Sequence, residues 1–237
     1  MTGGVGRFSR VRPGGLPLAL LTLLLALLLL SFGLFTAVLA QTPRDLLLAA
    51  QSGNLAGVRA ALAAGVKSDV RDGRGRTSLL IATHNNHVAI ARMLIANGAN
   101  VNAKDKIDDT PFLYAGAEGR NAILKMTLRA GANLKDVNRY GGTALIPAAH
   151  HGHVETVKIL LGTGIEINHI NKLGWTTLLE AIILGDGGKA HVQIVRLLLD
   201  ARADPNIADK DGVRPLVHAR QRGQREIVQL LLKAGAR

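Results

Sequence analysis

The chain has 237 residues, of which 48% are hydrophobic and only 3% are aromatic. It contains no cysteine, which excludes disulfides, thiolate nucleophiles and cysteine-ligated zinc. The apolar content is too high for a disordered chain, so Ala, Leu, Ile and Val must build a core. Lysine and arginine together number 29 against 17 acidic residues, a formal charge of +12. A charge of that sign favours an acidic partner or an anionic surface.

Residues 1–40 have the pattern of a targeting segment. Their first part is rich in glycine and carries three arginines but no acidic residue, and an uncharged apolar run follows over residues 16–40. This pattern predicts a signal peptide cleaved after Ala40. The alternative is an uncleaved signal anchor, because this run is longer than the roughly 20 residues that span a bilayer as a helix. Both predict export of residues 41–237, which we expect to reach a bacterial periplasm.

Two markers recur in the rest of the chain with one fixed step, which is thirty-three positions long. The first marker is a threonine that opens a short apolar stretch, and it stands at Thr77, Thr110, Thr143 and Thr176. The second is a glycine that closes a longer apolar stretch, and it stands at Gly65, Gly98, Gly131 and Gly164. The next step is longer by five positions for both markers and leads to Arg214 and Arg202. Two markers in one register indicate six copies of one structural unit.

Each copy is predicted to contain a pair of helices. The threonine can cap a short first helix, and Pro111 and Pro215 occupy the first helical position, where a missing N–H costs nothing. The second helix has apolar residues at i, i+3, i+4 spacing, as in residues 154–161. A glycine or asparagine between the two helices permits a left-handed turn. These residues are Gly53, Asn86, Gly119, Gly152, Gly185 and Gly223.

The copies resemble the ankyrin repeat family, whose pattern is roughly D-x-x-G-x-T-P-L-H-x-A, then G-H, an apolar helix and L-L-x-x-G-A-D/N. The fullest copies are residues 141–148 with Gly152 and His153, and residues 211–219 with Gly223. The resemblance implies an all-α ankyrin-repeat solenoid of about six helix-turn-helix repeats with finger-like turns, preceded by the signal peptide. We assign residues 41–237 to this domain, with repeats at about 44–71, 72–104, 105–137, 138–170, 171–208 and 209–237.

Two features depart from the repeat pattern. Arg202 replaces a helix-ending glycine, which predicts a strained side-chain-bearing residue if the turn is left-handed. Five extra residues fall within residues 185–191, which predicts an enlarged turn between the two helices of repeat five.

No catalytic constellation stands out: the sequence has neither usual glycine-rich phosphate loop nor G-x-S-x-G. The densest titratable cluster is His150, His151 and His153. Because His153 shares its repeat position with His87, where the family's histidine makes structural hydrogen bonds, we interpret the cluster as structural. We therefore expect no enzyme activity, no cofactor and no metal.

The aromatic residues are the best candidates for partner contact. Tyr140 lies on a finger, Trp175 directly precedes its threonine, and Tyr114 lies on a first helix. In the ankyrin family these positions face the concave groove. Ile107 and Leu173 hold the position of Tyr140 in the flanking repeats, so the three predict an apolar stripe. The alternative is that these side chains pack between neighbouring fingers.

A row of basic residues is predicted at the finger tips, four residues before the threonine position of each repeat. The row consists of Lys106, Arg139, Lys172 and Lys210. It would form a cationic column that speeds encounter with an acidic partner. The alternative is a solvated row of side chains that alternates with aspartates.

The leading hypothesis is a monomeric, non-catalytic module that binds an unidentified, acidic protein through its fingers and first helices. The alternative is a membrane-tethered basic module that keeps residues 16–40 and associates with anionic lipid or an acidic membrane protein. Nucleic acid binding is not expected, because export removes access and few aromatic residues are available to stack on bases.

Overall fold

The computed structural model describes residues 1–2 and 41–237, and the predicted signal peptide or anchor lies outside these residues. Residues 41–237 form one compact unit. In this part of the chain there are twelve helices, and the strand-like pairing is limited to one bridge between Arg71 and Thr77. Of these helices, none combines the length and the hydropathy that crossing a bilayer requires.

The helices come in pairs. The first helices of the pairs are α1 (Pro43–Ser52), α3 (Ser78–His84), α5 (Pro111–Ala117), α7 (Leu145–His150), α9 (Thr177–Ile183) and α11 (Pro215–Gln221). The second helices are α2 (Leu55–Ala63), α4 (Val88–Ala96), α6 (Asn121–Arg129), α8 (Val154–Leu161), α10 (Lys189–Asp200) and α12 (Arg225–Lys233). First helices pack on first helices of the adjacent pairs, and second helices on second helices. The predicted all-α solenoid of six helix pairs is therefore confirmed.

A single buried side chain per repeat forms the spine of the core. It is the third residue counted from the threonine position, and none of the six is more than 3% exposed. The spine residues are Leu46, Leu79, Phe112, Leu145, Leu178 and Leu216. They belong to one continuous apolar cluster that runs through all six pairs. Stacking thus buries apolar surface that an isolated helix pair would leave in water.

Three of the four threonines cap their helices as predicted. The Oγ1 atoms of Thr77, Thr110 and Thr176 accept a backbone N–H three residues later, at 3.0–3.2 Å. The prediction is wrong for Thr143, because α7 begins only at Leu145 and the Thr143 hydroxyl is buried without a partner in the described structure. Pro147 explains this: it has no N–H to give to the Thr143 carbonyl, which accepts the Ile146 N–H instead.

The turns between paired helices are left-handed at five of the six predicted residues, namely Gly53, Asn86, Gly119, Gly152 and Gly223. The prediction for Gly185 is wrong. The five extra residues enlarge this turn, and Gly187 adopts the positive φ of 69° there. Beyond the insertion, the side chain of His191 is 8% exposed, and its Nε2 is 2.9 Å from the carbonyl of His150.

Arg202, which follows the second helix of repeat five, has a φ of 71°, which confirms the predicted strained position.

The fingers are five turns with one hydrogen-bonding scheme, at residues 72–76, 105–109, 138–142, 171–175 and 209–213. The first residue of each is Asp or Asn, and its Oδ1 accepts the N–H groups two and four residues later at 2.9–3.0 Å. Its own N–H donates to the carbonyl of the fifth residue. This closed turn holds the third residue of every finger in the same place.

A candidate binding groove between the fingers and the first helices

The predicted apolar stripe is exposed. Ile107, Tyr140 and Leu173 are the third residues of three successive fingers, with 48%, 53% and 47% of their surface open to solvent. About half of each side chain is therefore free of neighbouring fingers. Their role as partner contacts stays a prediction, but the surface that such contacts need is present.

A cavity of about 390 Å³ lies between the fingers of repeats four and five and the helices α5, α7 and α9. Four of the predicted contact residues line it, namely Tyr114, Arg139, Tyr140 and Leu173. The other five, Ile107, Trp175, Lys106, Lys172 and Lys210, do not belong to its lining. Trp175 is half-buried at the base of its finger, where its backbone N–H donates to Oδ1 of Asn171. The structure thus brings the two tyrosines together and leaves the tryptophan outside.

Tyr114 is held in the groove wall by a stack on His84. The ring centroids are 3.7 Å apart and the ring planes differ by 17°. Burial raises the pKa of the Tyr114 hydroxyl and lowers the pKa of His84, so both rings are neutral at pH 7. The stack joins α3 to α5 and gives one wall of the cavity a fixed shape.

Arg139 lies between an aromatic face and a carboxylate. Its guanidinium carbon is 4.7 Å from the ring centroid of Tyr140, and Nη1 is 3.8 Å from Oδ2 of Asp109. Burial, followed by the charge of Asp105, raises the pKa of Asp109, and Arg139 lowers it only in part. The cavity therefore already accommodates one cation of the chain itself.

The tip lysines connect neighbouring fingers. The Nζ atoms of Lys106, Lys172 and Lys210 donate to backbone carbonyls of the preceding finger, those of Gly73, Arg139 and Lys172. Their aliphatic stems lie over left-handed glycines of that finger, Gly75, Gly141 and Gly174. These three ammonium groups thus have a structural contact in addition to the steering role predicted for them. Arg139 turns away to Asp109 instead.

Several lining residues were missed by the sequence reasoning. The most important are the acidic Asp109, Glu118 and Glu180, the apolar Leu184, and the histidines His150 and His151. One signal could have found Glu180: the same repeat step that leads from Tyr114 to Pro147 leads from there to Glu180. All three residues line the cavity.

The histidine cluster makes contacts within the fold. His151 bonds through Nδ1 to the carbonyl of Ala117 at 2.8 Å, and the His153 ring lies against Gly119. Burial lowers the pKa of His150 and of His153. Among residues 41–237, no three histidine, aspartate or glutamate side chains are grouped as metal ligands would be.

Comparison with solved structures finds close likeness over the repeat region. The crystal structure of an ankyrin repeat domain from Acinetobacter baumannii AYE is 57% identical, with a TM-score of 0.79, and the match covers 81% of this chain and 98% of that one. The crystal structure of the ankyrin repeat protein EF0377 is 40% identical, with a TM-score of 0.78 and the same two coverages. Each match thus takes in almost the whole of the relative's solved chain.

Among curated proteins, the ankyrin repeat protein YahD of Escherichia coli (strain K12) is 54% identical over 57 residues. That segment is 24% of this chain and spans only 28% of YahD. The family model "Ankyrin repeats (3 copies)" matches residues 46–138, 112–209 and 170–237. Ankyrin repeats are generally modules for protein–protein interaction without catalysis of their own. The chain belongs to the ankyrin repeat family.

Proposed function

We propose that residues 41–237 bind one protein partner, as a monomer and without catalysis, in the groove between the fingers and the first helices. One observation carries the proposal: a cavity of about 390 Å³ is bordered by Tyr140 and Leu173, which are about half exposed. Large side chains beside a concave pocket are the usual anchors of protein interfaces, because a partner removes them from water.

The proposed contact combines shape with apolar burial. A partner segment that crosses the fingers would cover Ile107, Tyr140 and Leu173. It could also cover Leu184, which lies on the helix side of the groove and is 42% exposed. Burial of apolar surface stabilises a complex by about 25 cal/mol per Å² before the costs of association. The repeated turn holds the stripe in place, so little ordering of this surface is needed on binding.

The net charge of the domain favours a partner that is acidic overall. Without the three arginines of residues 1–40, the chain has 26 basic and 17 acidic side chains, a net charge of +9. Such a field acts over about one Debye length, roughly 8 Å at physiological salt, and raises association rates. We expect the association rate constant to fall as salt rises, while the dissociation rate constant changes little.

The test is a crosslinked pull-down with residues 41–237 from an extract of the host's exported proteins. The variant that combines Tyr140→Ala and Leu173→Ala should lose the captured protein. Leu232→Ala is the matched control, because Leu232 is 48% exposed on α12 and outside the cavity lining. A protein retained by the double variant would place the contact elsewhere.

Export to the periplasm is part of the proposal and is supported by the pattern of residues 1–40 alone. Sequencing the N-terminus of the purified protein distinguishes the two forms. Gln41 as the first residue would establish a cleaved signal peptide. Met1 or Thr2 would establish the anchored form, and binding to vesicles of anionic lipid would then be measured next.

A further inference from the structure

The cavity has a charge opposite to that of the domain around it. Three carboxylates line it, Asp109, Glu118 and Glu180, against one guanidinium, that of Arg139. Counted by formal charges with histidine left out, the lining has a net charge of −2 inside a domain of net charge +9. A local reversal of sign persists at contact distance, where the long-range field of the domain no longer decides the interaction.

Glu180 is a buried carboxylate that forms no ion pair with residues 41–237. It is only 7% exposed, and its one hydrogen bond in the described structure is from Nδ2 of Asn171 to Oε2, at 3.3 Å. The second oxygen, Oε1, accepts no hydrogen bond from residues 41–237 and is not fully buried, and the residue lines the cavity. A buried carboxylate with a single neutral donor is costly unless a cation compensates it.

The next repeat shows what such a compensation looks like. His218 and Asp209 hold in repeat six the positions that Glu180 and Asn171 hold in repeat five. There, Nε2 of His218 is 2.7 Å from Oδ2 of Asp209, so the acid and the base satisfy each other. In repeat five, an acid replaces the base and an amide replaces the acid. The side chain that could neutralise Glu180 is therefore absent from its own repeat.

The neighbouring repeat compensates Glu180 only in part. His150 and His151 of α7 are the titratable side chains that line the cavity next to Glu180. Burial lowers the pKa of His150, which favours its neutral form. Nδ1 of His151 is 2.8 Å from the carbonyl of Ala117, and the charge of His151 lowers the pKa of Glu180 less than burial raises it.

The walls of the cavity suit the stem of a long cationic side chain. Tyr140, Leu173 and Leu184 present apolar surface that methylene groups can cover while the charged end reaches a carboxylate. Arg139 shows that the site accepts this chemistry, since its guanidinium lies against Tyr140 and beside Asp109. Among residues 41–237, Arg139 is the one lysine or arginine that lines the cavity, and its ion pair is with Asp109 and not with Glu180.

We propose that the cavity accepts a lysine or arginine side chain of the partner protein, with its charged group paired to Glu180. The inference rests on the proposed function only in taking this groove as the contact surface. It is compatible with a partner that is acidic overall, because the net charge acts at long range and the single basic side chain acts at contact.

The test uses N-acetyl-arginine amide as the probe and N-acetyl-citrulline amide as its uncharged counterpart of nearly equal shape. Residues 41–237 are suitable for it, because they form one compact unit. Titration followed by nuclear magnetic resonance should show arginine-dependent shifts at cavity residues and none with citrulline. Equal shifts with both probes, or no shifts with arginine, would overturn the proposal.

Glu180→Gln is the decisive variant, because the amide oxygen can still accept from Asn171 and only the charge is lost. It should weaken arginine binding roughly tenfold or more, since a charged hydrogen bond is removed. Glu155→Gln, an exposed position on α8, is the matched control and should bind arginine unchanged. Thermal unfolding of both variants verifies that they are folded.

The pull-down separates this proposal from the proposed function. If the partner is lost with Tyr140→Ala and Leu173→Ala but retained at full affinity by Glu180→Gln, the groove is the binding site and the cation subsite is refuted. If the partner is lost with neither, the proposed function itself is refuted.

Discussion

Glu180 lies on a first helix with its carboxylate buried and without an ion-pair partner among residues 41–237. Burial raises the pKa of this carboxyl above its ordinary value of 4.5, and the Asn171 hydrogen bond and the charge of His151 offset this only in part. A group with a raised folded-state pKa stabilises the fold while it is protonated in both states, and this stability is lost as the pH rises through the folded-state pKa. At neutral pH, Glu180 therefore reduces the stability of the domain, which fits a residue retained for binding.

Glu180→Gln should stabilise the domain at neutral pH. The amide imitates the protonated acid, so the two proteins should have the same stability near pH 4 and the variant should be more stable near pH 7. Urea unfolding at both pH values measures the difference, and Glu155→Gln provides the control. Equal stability of wild type and the Glu180 variant near pH 7 would show that the carboxylate is compensated within the chain.

Substitution of Arg202 measures the backbone strain at the end of α10. It has a φ of 71° where the other repeats mostly have glycine. Arg202→Gly should stabilise the domain by roughly 0.5–1 kcal/mol, because relief of the left-handed strain exceeds the added entropy of the unfolded chain. The reverse change at the equivalent Gly131, Gly131→Ala, should cost about 1 kcal/mol, since open space around Gly131 leaves only the backbone penalty. A loss of stability from Arg202→Gly in denaturant unfolding would contradict this account.

At the scale of the element, whether a threonine caps its helix depends on whether the residue four places later has an N–H for the threonine carbonyl. Tyr114 has one for Thr110, and Pro147 has none for Thr143. Thr110 accepts the Leu113 N–H at 3.0 Å, whereas Thr143 has a buried hydroxyl without a partner among the described residues. Thr110→Val should therefore cost about 1 kcal/mol. Thr143→Val should be neutral or stabilising, because it replaces an unsatisfied buried hydroxyl by a methyl group of the same shape. Equal losses for both in urea unfolding would mean that Thr143 does cap α7.

The helix pairs could be predicted from the sequence because the same residues recur at the same places in each copy: a threonine before the first helix, a glycine or asparagine between the helices, and regularly spaced apolar residues. The two wrong predictions, the Thr143 cap and the Gly185 turn, fall where a proline or an insertion interrupts this pattern. Pro147 has no N–H for the Thr143 carbonyl, which therefore accepts the Ile146 N–H that the cap needs. The insertion before His191 moves the left-handed turn from Gly185 to Gly187. Both causes are visible in the sequence, but their effect depends on which backbone groups remain unpaired, and that requires the three-dimensional contacts.

The site was predictable only in part, for a related reason. The stripe of Ile107, Tyr140 and Leu173 follows from the repeat register alone, since each is the third residue of its finger. The cavity combines side chains of three repeats, and the carboxylate of Glu180 is notable only because Asn171 gives it a hydrogen bond but no opposite charge. The bridging role of the tip lysines depends on side-chain direction, which repeat spacing does not predict.

At the scale of the whole molecule, each repeat contacts mainly its neighbours, so position in the stack decides how a core defect spreads. Leu145→Ala in the central α7 should cost about 2–5 kcal/mol of global stability. Leu216→Ala in the last pair should instead free α11 and α12 to exchange amide hydrogens early, while the other pairs stay protected. Hydrogen exchange that rises uniformly through the chain in the Leu216 variant would contradict this nearest-neighbour behaviour.

The central claim is that the partner lies on the groove, and photo-crosslinking from single positions tests it most directly. A photoreactive p-benzoylphenylalanine would replace Leu173 in one protein and Leu232 in another, two leucines with 47% and 48% of their surface exposed. Irradiation in the host extract should join a protein to position 173 and not to position 232. Crosslinking of the same protein from position 232, with none from position 173, would contradict the account.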